Sequence, residues 1–152
     1  MKIDRTTLLF FDSSCLIAAA GSPHGGSGFL LSLCERGYLL AVISLPVLME
    51  SENNVRAHLK SIVLERYYSL LNNDPFQLAP VPDRIEISSM QKQINIKDAH
   101  VVAAALEVDA PFLLTLDKRL ALEVNQTQLG IQAFSPGEFI KTVLVQHEDY
   151  QA

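Results

Sequence analysis

Short apolar runs that favour β-strands alternate with longer helical stretches along most of this chain. Strands are predicted at 7–11, 38–43, 76–80, 111–115 and 131–134, the last of them at a sheet edge. Consecutive parallel strands need a crossover connection, which is usually a helix. The alternation therefore predicts an α/β fold whose central, mainly parallel sheet is covered by helices on both faces.

Start signals for helices lie between these strands and after the last one. Ser44 precedes a helix with Pro46 in its first turn, and SPGE at 135–138 is a capping signature for a final helix. Another helix is predicted to start at Asn95 and to run through DAHVVAAALEV. The glycine-rich segment 21–28, GSPHGGSG, is predicted to be a loop, and it lacks the Gly-Lys-Ser/Thr ending of a phosphate-binding loop.

The composition is that of a compact globular protein. Of 152 residues, 49% are hydrophobic and 19% are charged, which excludes a disordered chain and predicts a single domain over 1–152. Cys15 and Cys34 lie in apolar surroundings without the spacing of metal ligands. They are interpreted as buried free thiols in a reducing compartment, with one disulfide as the alternative.

The start of the chain raises the question of a secretory signal, because Lys2 and Arg5 precede an apolar run. Asp12 interrupts that run, however, and a carboxylate does not belong in the apolar region of a signal peptide. No uninterrupted apolar stretch approaches the length of a membrane span. A cytoplasmic protein without membrane contact is the resulting prediction.

Four acidic residues fall where such a sheet brings them together: Asp12, Glu50, Asp98 and Asp117. Asp12 and Asp117 follow the first and fourth strands, while Glu50 and Asp98 belong to the first turns of helices that could start at the same edge. Taken singly, each has an ordinary explanation as a helix cap or a solvated helix face. Jointly, they occupy the edge where open parallel sheets bind ligands. Carboxylates gathered without cations repel one another, so this pattern predicts a bound divalent metal.

The overall charge is a constraint on partners. The formal net charge is −5, whereas a protein that holds nucleic acid by electrostatics is usually basic. A role on nucleic acid must therefore rest on local positive charge, on a bound metal or on a partner. The basic residues that are candidates for contacting RNA phosphates are Lys60, Arg66, Lys97, Lys118 and Arg119.

Three stretches, taken with the spacing between them, resemble PIN-domain proteins: FFDSSCLI, SLPVLMES and IKDAHVVAAALEVDAPFLLTLDKRL. The DAHVVAAAL and TLDKRL pieces are similar to VapC-like toxins of type II toxin–antitoxin modules. The resemblance spans about 8–122, which is most of the chain. It implies a three-layer α/β/α sandwich and a metal-dependent endoribonuclease, with RNA as substrate, an antitoxin as possible partner and a homodimer as the assembly.

The resemblance also implies roles for individual residues. The acidic quartet is Asp12, Glu50, Asp98 and Asp117, which would coordinate Mg²⁺ or Mn²⁺, with Glu50 as an outer ligand or a base that orients water.

The small hydroxyl residues that support this site would be Ser14 and Thr115. Glu52 competes with Glu50 for the helix position. Many family members carry a further acidic residue after the last Asp, where this chain has Lys118, so the number of metal ions stays open between one and two.

Alternative functions make different demands on the same residues. A phospho-acceptor receiver domain needs an acidic pair before the acceptor and a late lysine, and neither is evident. A haloacid-dehalogenase-type phosphatase needs an Asp two residues after its nucleophile, where this chain has Ser14. His100 lies two positions after Asp98, points elsewhere on a helix and is interpreted as a packed or interface histidine. A non-catalytic PIN-fold protein that only binds a partner remains the second hypothesis.

Overall fold

The strands of the computed structural model, which describes residues 1–73 and 75–151, agree with the predicted ones. They are β1 (Leu8–Phe11), β2 (Leu40–Ser44), β3 (Phe76–Ala79), β4 (Phe112–Leu114) and β5 (Gln132–Phe134). These strands form one sheet in the order β3-β2-β1-β4-β5, and all four pairings are parallel. The predicted α/β class and the edge position of the last strand are both confirmed.

Helices connect the strands and cover the sheet. They are α1 (Ser13–Gly21), α2 (Gly26–Glu35), α3 (Leu45–His58), α4 (Ser61–Asn72), α5 (Arg84–Met90), α6 (Ala99–Glu107), α7 (Lys118–Gln126) and α8 (Pro136–Thr142), followed by a 3₁₀ turn (Leu144–Gln146). Successive residues of β1 and β4 are buried, and alternate side chains of a strand point to opposite faces. Both faces of the sheet are therefore covered, which gives the predicted three layers. Within the described residues, no helix is both long and apolar enough to cross a membrane.

The order of the strands reverses beside β1. The chain proceeds from β1 to β2 and β3 on one side, then returns to place β4 and β5 on the other. In the β1–β4 pair, Phe11 lies opposite Leu114, so both strands end at the same level. This is the position at which open parallel sheets form a crevice for ligands.

Several predicted caps are present. The Ser44 hydroxyl accepts a hydrogen bond from Val47 N at 3.3 Å, and the Ser135 hydroxyl accepts one from Glu138 N at 3.2 Å. The helix predicted from Asn95 instead begins at Ala99. The reason is a local turn, because the Asn95 side chain accepts a hydrogen bond from Lys97 N and competes with helix formation.

Both cysteines are buried and free. Burial raises the pKa of Cys15 and of Cys34 to about 12 each, so both are thiols at neutral pH. The interpretation as buried free thiols is confirmed, and the disulfide alternative is wrong.

The two ends of the described chain meet at the start of the sheet. Ile3 pairs with His147 in a parallel bridge, and the Ile3 carbonyl accepts a hydrogen bond from Glu148 N at 2.9 Å. His147 Nδ1 accepts hydrogen bonds from Asp149 N and Tyr150 N, both at 3.0 Å. Because Nδ1 accepts both bonds, Nε2 carries the proton that is donated to the Tyr38 carbonyl at 2.6 Å.

The predicted glycine-rich loop is shorter than expected. Gly21 ends α1 and Gly26 begins α2, so only residues 22–25 connect the helices. Gly28 lies in the first turns of α2 against Pro23, where an added Cβ would stand 2.1 Å from the Pro23 carbonyl oxygen. Glycine is therefore needed here for close packing rather than for flexibility, which a pattern of loop-forming residues does not distinguish.

Gly28→Ala is expected to destabilise the fold by roughly 1–3 kcal/mol, because the new methyl group must displace the backbone at Pro23. Gly137→Ala is the matched control, since no atom lies within 4 Å of a Cβ at that position. The control is expected to be neutral or slightly stabilising in α8. Urea unfolding of the two variants measures the difference, and equal midpoints would contradict the packing role of Gly28.

Candidate active site

Asp12 is a buried carboxylate at the end of β1. Asp12 is 6% exposed. Its Oδ1 caps α1 by accepting a hydrogen bond from Ser13 N at 2.8 Å. Its Oδ2 accepts hydrogen bonds from the hydroxyls of Thr115 at 2.8 Å and Ser14 at 3.2 Å. Burial raises the pKa of Asp12 in spite of these bonds, and the negative charge of Glu50 acts in the same direction.

The two hydroxyls beside Asp12 connect the ends of β1 and β4. The Thr115 hydroxyl donates to Asp12 and accepts from Asp117 N at 3.1 Å. The Ser14 hydroxyl donates to Asp12 and accepts from Leu116 N at 3.0 Å. Each hydroxyl therefore fixes the Asp12 side chain relative to the backbone that leads to Asp117.

Asp117 is exposed and caps α7. Its Oδ1 accepts hydrogen bonds from Arg119 N at 3.0 Å and Leu120 N at 3.2 Å. Within the described chain, Oδ2 takes part in no hydrogen bond. One oxygen of Asp117 thus stabilises the helix, and the other is available to a ligand.

Asp98 stands directly before α6 but does not cap it. Its backbone is helical, with φ −108° and ψ −2°, and its side chain makes no capping hydrogen bond. Burial raises the pKa of Asp98, and the negative charges of Asp12, Asp117 and Glu50 raise it further. The capping explanation therefore accounts for Asp12 and Asp117 but fails for Asp98.

Glu50 is half-buried in the second turn of α3, one turn further from the helix start than predicted. It stands on the helix that follows β2, and β2 pairs in parallel with β1, so Glu50 belongs to the same edge of the sheet as Asp12. Glu52 is engaged elsewhere, because its carboxylate binds Arg56 and the Tyr68 hydroxyl at 3.0 Å each. Among the described residues, Glu50 takes part in no such side-chain hydrogen bond or salt bridge.

The four carboxylates share one edge without converging on one point. In the part of the chain that the structure describes, no three His, Cys, Asp or Glu side chains are close enough together to hold a metal ion. No salt bridge joins any of the four to a basic side chain over the same residues. Carboxylate oxygens are the type of ligand that Mg²⁺ and Mn²⁺ prefer. To coordinate one ion together, the exposed side chain of Asp117 and the half-buried side chains of Glu50 and Asp98 would have to turn toward Asp12.

Glu123 is a structural contributor that sequence analysis missed. Its carboxylate accepts a hydrogen bond from Asn95 N at 2.7 Å and one from Arg119 Nε at 3.1 Å. It thereby connects the turn before Asp98 to the helix after Asp117. The sequence shows only the i, i+4 spacing of Arg119 and Glu123, which is typical of an ordinary surface pair.

The other residues noted in the sequence are a histidine and five basic side chains. His100 is half-buried, and its Nδ1 has no hydrogen-bond partner in the described structure. The basic residues considered for RNA contact are all exposed: Lys60, Arg66, Lys97, Lys118 and Arg119. Lys97, Lys118 and Arg119 flank Asp98 and Asp117 in the sequence, whereas Lys60 and Arg66 belong to the region of α4.

Two solved structures align with this fold over most of the chain. VapBC2 from Rickettsia felis, solved bound to a DNA fragment from its promoter, aligns with a TM-score of 0.63 at 14% identity, over 85% of this chain and 98% of that one. PAE2754 from Pyrobaculum aerophilum aligns with a TM-score of 0.60 at 18% identity, over 92% of this chain and 88% of that one. A scan against protein-family models finds no match, and a search of curated proteins finds none either. The structural similarity confirms the PIN-like fold that the sequence resemblance predicts.

Asp98→Asn is expected to stabilise the metal-free protein at pH 7, because it removes a repelling charge without removing a capping hydrogen bond. The folded-state pKa of Asp98 lies above its ordinary value of 3.8, so the folded state binds the proton more tightly. The stability advantage of the variant should therefore shrink as the pH falls from 7 toward 3.8.

Thermal melts of parent and variant across this pH range measure the effect. Glu35→Gln, an exposed carboxylate outside the site, is the charge-matched control and should show no such trend. A variant that is less stable than the parent at pH 7 would rule out mutual repulsion at Asp98.

Proposed function

We propose that this protein is a metal-dependent endoribonuclease that hydrolyses RNA phosphodiester bonds. The observation that supports the proposal most directly is the position of four carboxylates along the edge where the strand order reverses, none of them in a salt bridge among the described residues. The PIN-like fold adds support, and the sequence resemblance to VapC-like toxins concerns these same positions.

We propose separate roles for the four carboxylates. Asp12, Asp98 and Asp117 would hold Mg²⁺ or Mn²⁺, and Glu50 would act as an outer ligand or orient the attacking water. The bound ion supplies positive charge that offsets the carboxylates and the substrate phosphate.

The hydroxyls determine how Asp12 presents its charge. Thr115 and Ser14 both donate to Oδ2, which favours the ionised form of Asp12 and fixes its orientation. Oδ1 accepts one backbone N–H and retains a further lone pair. Glu50 is only half-buried, so solvent reaches its carboxylate, which could orient the attacking water.

Substrate binding must overcome a net charge of −5. Lys97, Lys118 and Arg119 are the proposed contacts for RNA phosphates, because they are exposed and adjacent in sequence to Asp98 and Asp117. Local cations of this kind can guide a polyanion to an acidic site, with strong dependence on salt.

The biological role that we propose is the toxin of a toxin–antitoxin pair, a cytoplasmic homodimer neutralised by an antitoxin protein. The sequence resemblance to VapC-like toxins and the fold shared with VapBC2 support this role.

A second candidate is a non-catalytic PIN-fold protein that acts by binding a partner. The observation that favours it is the absence, over the described residues, of three potential ligands close enough to share one ion. The two candidates differ in metal binding, which can be measured directly.

Cleavage of mixed RNA tests the nuclease. Asp12→Asn and Asp98→Asn are each expected to reduce Mg²⁺-dependent cleavage by roughly 100-fold or more, and EDTA should abolish it in the parent. Glu50→Gln should also lose activity, whereas Glu52→Gln, two residues along the same helix, should retain it. Gel electrophoresis of the products measures the rates. Parental rates in both Asn variants would exclude the proposed catalytic residues.

Mn²⁺ is expected to raise the thermal unfolding midpoint of the parent through preferential binding to the folded state. Saturation to about 100 times the dissociation constant corresponds to roughly 2.7 kcal/mol. Asp98→Asn should lose this response, while Glu52→Gln should keep it. Differential scanning fluorimetry across a titration measures the shift, and a flat curve for the parent would favour the non-catalytic candidate.

A further inference from the structure

Asp98 and Asp117 reach the candidate site from two separate elements. Asp98 ends the turn 95–98 before α6, and Asp117 caps α7. Rotation of a side chain can bring a carboxylate toward an ion, but it cannot change the distance between the two backbones that carry the carboxylates. Shared coordination of one ion therefore depends on the contacts that hold this turn against α7.

The turn 95–98 is closed by its own hydrogen bonds. The Asn95 carbonyl accepts one from Asp98 N at 2.9 Å, and the Asn95 side chain accepts one from Lys97 N at 3.0 Å. Both bonds begin at Asn95, so the backbone of Asp98 follows the position of Asn95. A contact that fixes Asn95 therefore also fixes Asp98.

Glu123 connects Asn95 to α7. Its Oε2 accepts a hydrogen bond from Asn95 N at 2.7 Å, and its Oε1 accepts one from Arg119 Nε at 3.1 Å. Hydrogen bonds to a carboxylate are stronger than those between neutral groups. The Glu123 side chain is only 19% exposed, which limits competition from water. Among the residues that the structure describes, no other side-chain hydrogen bond joins the turn 95–98 to α7.

We propose that Glu123 is a positioning residue for the metal site, because it fixes the turn of Asp98 relative to the helix that Asp117 caps. The inference rests on the proposed function, since it concerns the binding of Mg²⁺ or Mn²⁺ by these two carboxylates. Both oxygens of Glu123 are engaged by N–H donors, so it acts through Asp98 rather than as a ligand. Replacement of residues that orient metal ligands typically weakens metal binding by about 10- to 100-fold.

The alternative role of Glu123 is a surface ion pair with Arg119, of a kind that contributes little. Glu52 and Arg56 form the same kind of pair on α3, at 3.0 Å and with the same i, i+4 spacing. The two pairs differ in one respect: Glu123 also binds the Asn95 backbone, whereas in the described structure Glu52 binds side chains alone. Glu52→Gln is therefore the matched control for the loss of a charge and of an ion pair.

The fold is expected to tolerate the loss of the bond to Asn95. Ile94 and Ala99, on either side of the turn, are 2% and 0% exposed. Ile94 N also donates a hydrogen bond to the Met90 carbonyl at 2.9 Å. The turn therefore stays attached to the core at both ends when Glu123 is replaced, and substitution tests its position rather than folding.

Binding of Mn²⁺ to the whole protein tests the proposal. Electron paramagnetic resonance of free Mn²⁺, recorded below the unfolding midpoint of each variant, gives the affinity. Glu123→Ala removes the acceptor of Asn95 N and is expected to weaken binding by about 30-fold. Glu123→Gln removes the charge but keeps a carbonyl oxygen for Asn95 N, so a loss of about threefold or less is expected.

The comparison of these variants decides between position and charge. Glu52→Gln should bind Mn²⁺ like the parent. Equal weakening in Glu123→Ala and Glu123→Gln would show a simple loss of negative charge and overturn the proposal. Parental affinity in Glu123→Ala would overturn it as well.

Amide hydrogen exchange of the metal-free protein, followed by NMR, provides a second measurement. Glu123→Ala leaves Asn95 N without its acceptor, so exchange at this amide should become about tenfold faster or more, whereas Glu123→Gln should resemble the parent. Unchanged exchange in Glu123→Ala would overturn the proposal. A parent that binds no Mn²⁺ would contradict the proposed function and the metal role of Glu123 together, whereas a binding parent with an unaffected Glu123→Ala contradicts the positioning role alone.

Discussion

The parallel pairing of β1 with β4 is the constraint on which the candidate site depends. It sets Phe11 opposite Leu114, so the residues after each strand emerge side by side. Asp12 and Thr115 are 103 positions apart in the chain, yet a hydrogen bond of 2.8 Å joins them. The topology of the sheet, rather than a continuous sequence motif, brings the acidic residues to one edge.

This arrangement opposes the stability of the fold at one point. Asp12 is buried without a basic partner in the described structure, and the charges of its acidic neighbours raise the pKa values of Asp12 and Asp98. An amide would suit the fold better at Asp98, whose side chain makes no capping hydrogen bond. Conflict between local chemistry and stability is expected at functional sites, where the rest of the core must compensate. Here the buried strands and the helices on both faces supply that compensation.

The sequence predicts the parts of the site that depend on strand ends better than the parts that depend on helix geometry. Asp12 and Asp117 could be placed because apolar runs define where β1 and β4 stop. Glu50 was assigned to the first turn although the cap at Ser44 was predicted correctly, and that cap places Glu50 in the second turn of α3. Asp98 was assigned to a helix that starts later, because the turn at Asn95 forms through its own side chain. The sequence also predicted too long a loop near Gly28, where packing against Pro23 decides the conformation.

The pairing of Ile3 with His147 has a practical consequence. Both lie at the edge where β1 begins, whereas Asp12 follows the last residue of that strand. A tag, a dye or a solid support attached beyond either residue therefore emerges on the side opposite the carboxylates. The protein can be tethered by either end while a long polymer still reaches the acidic crevice.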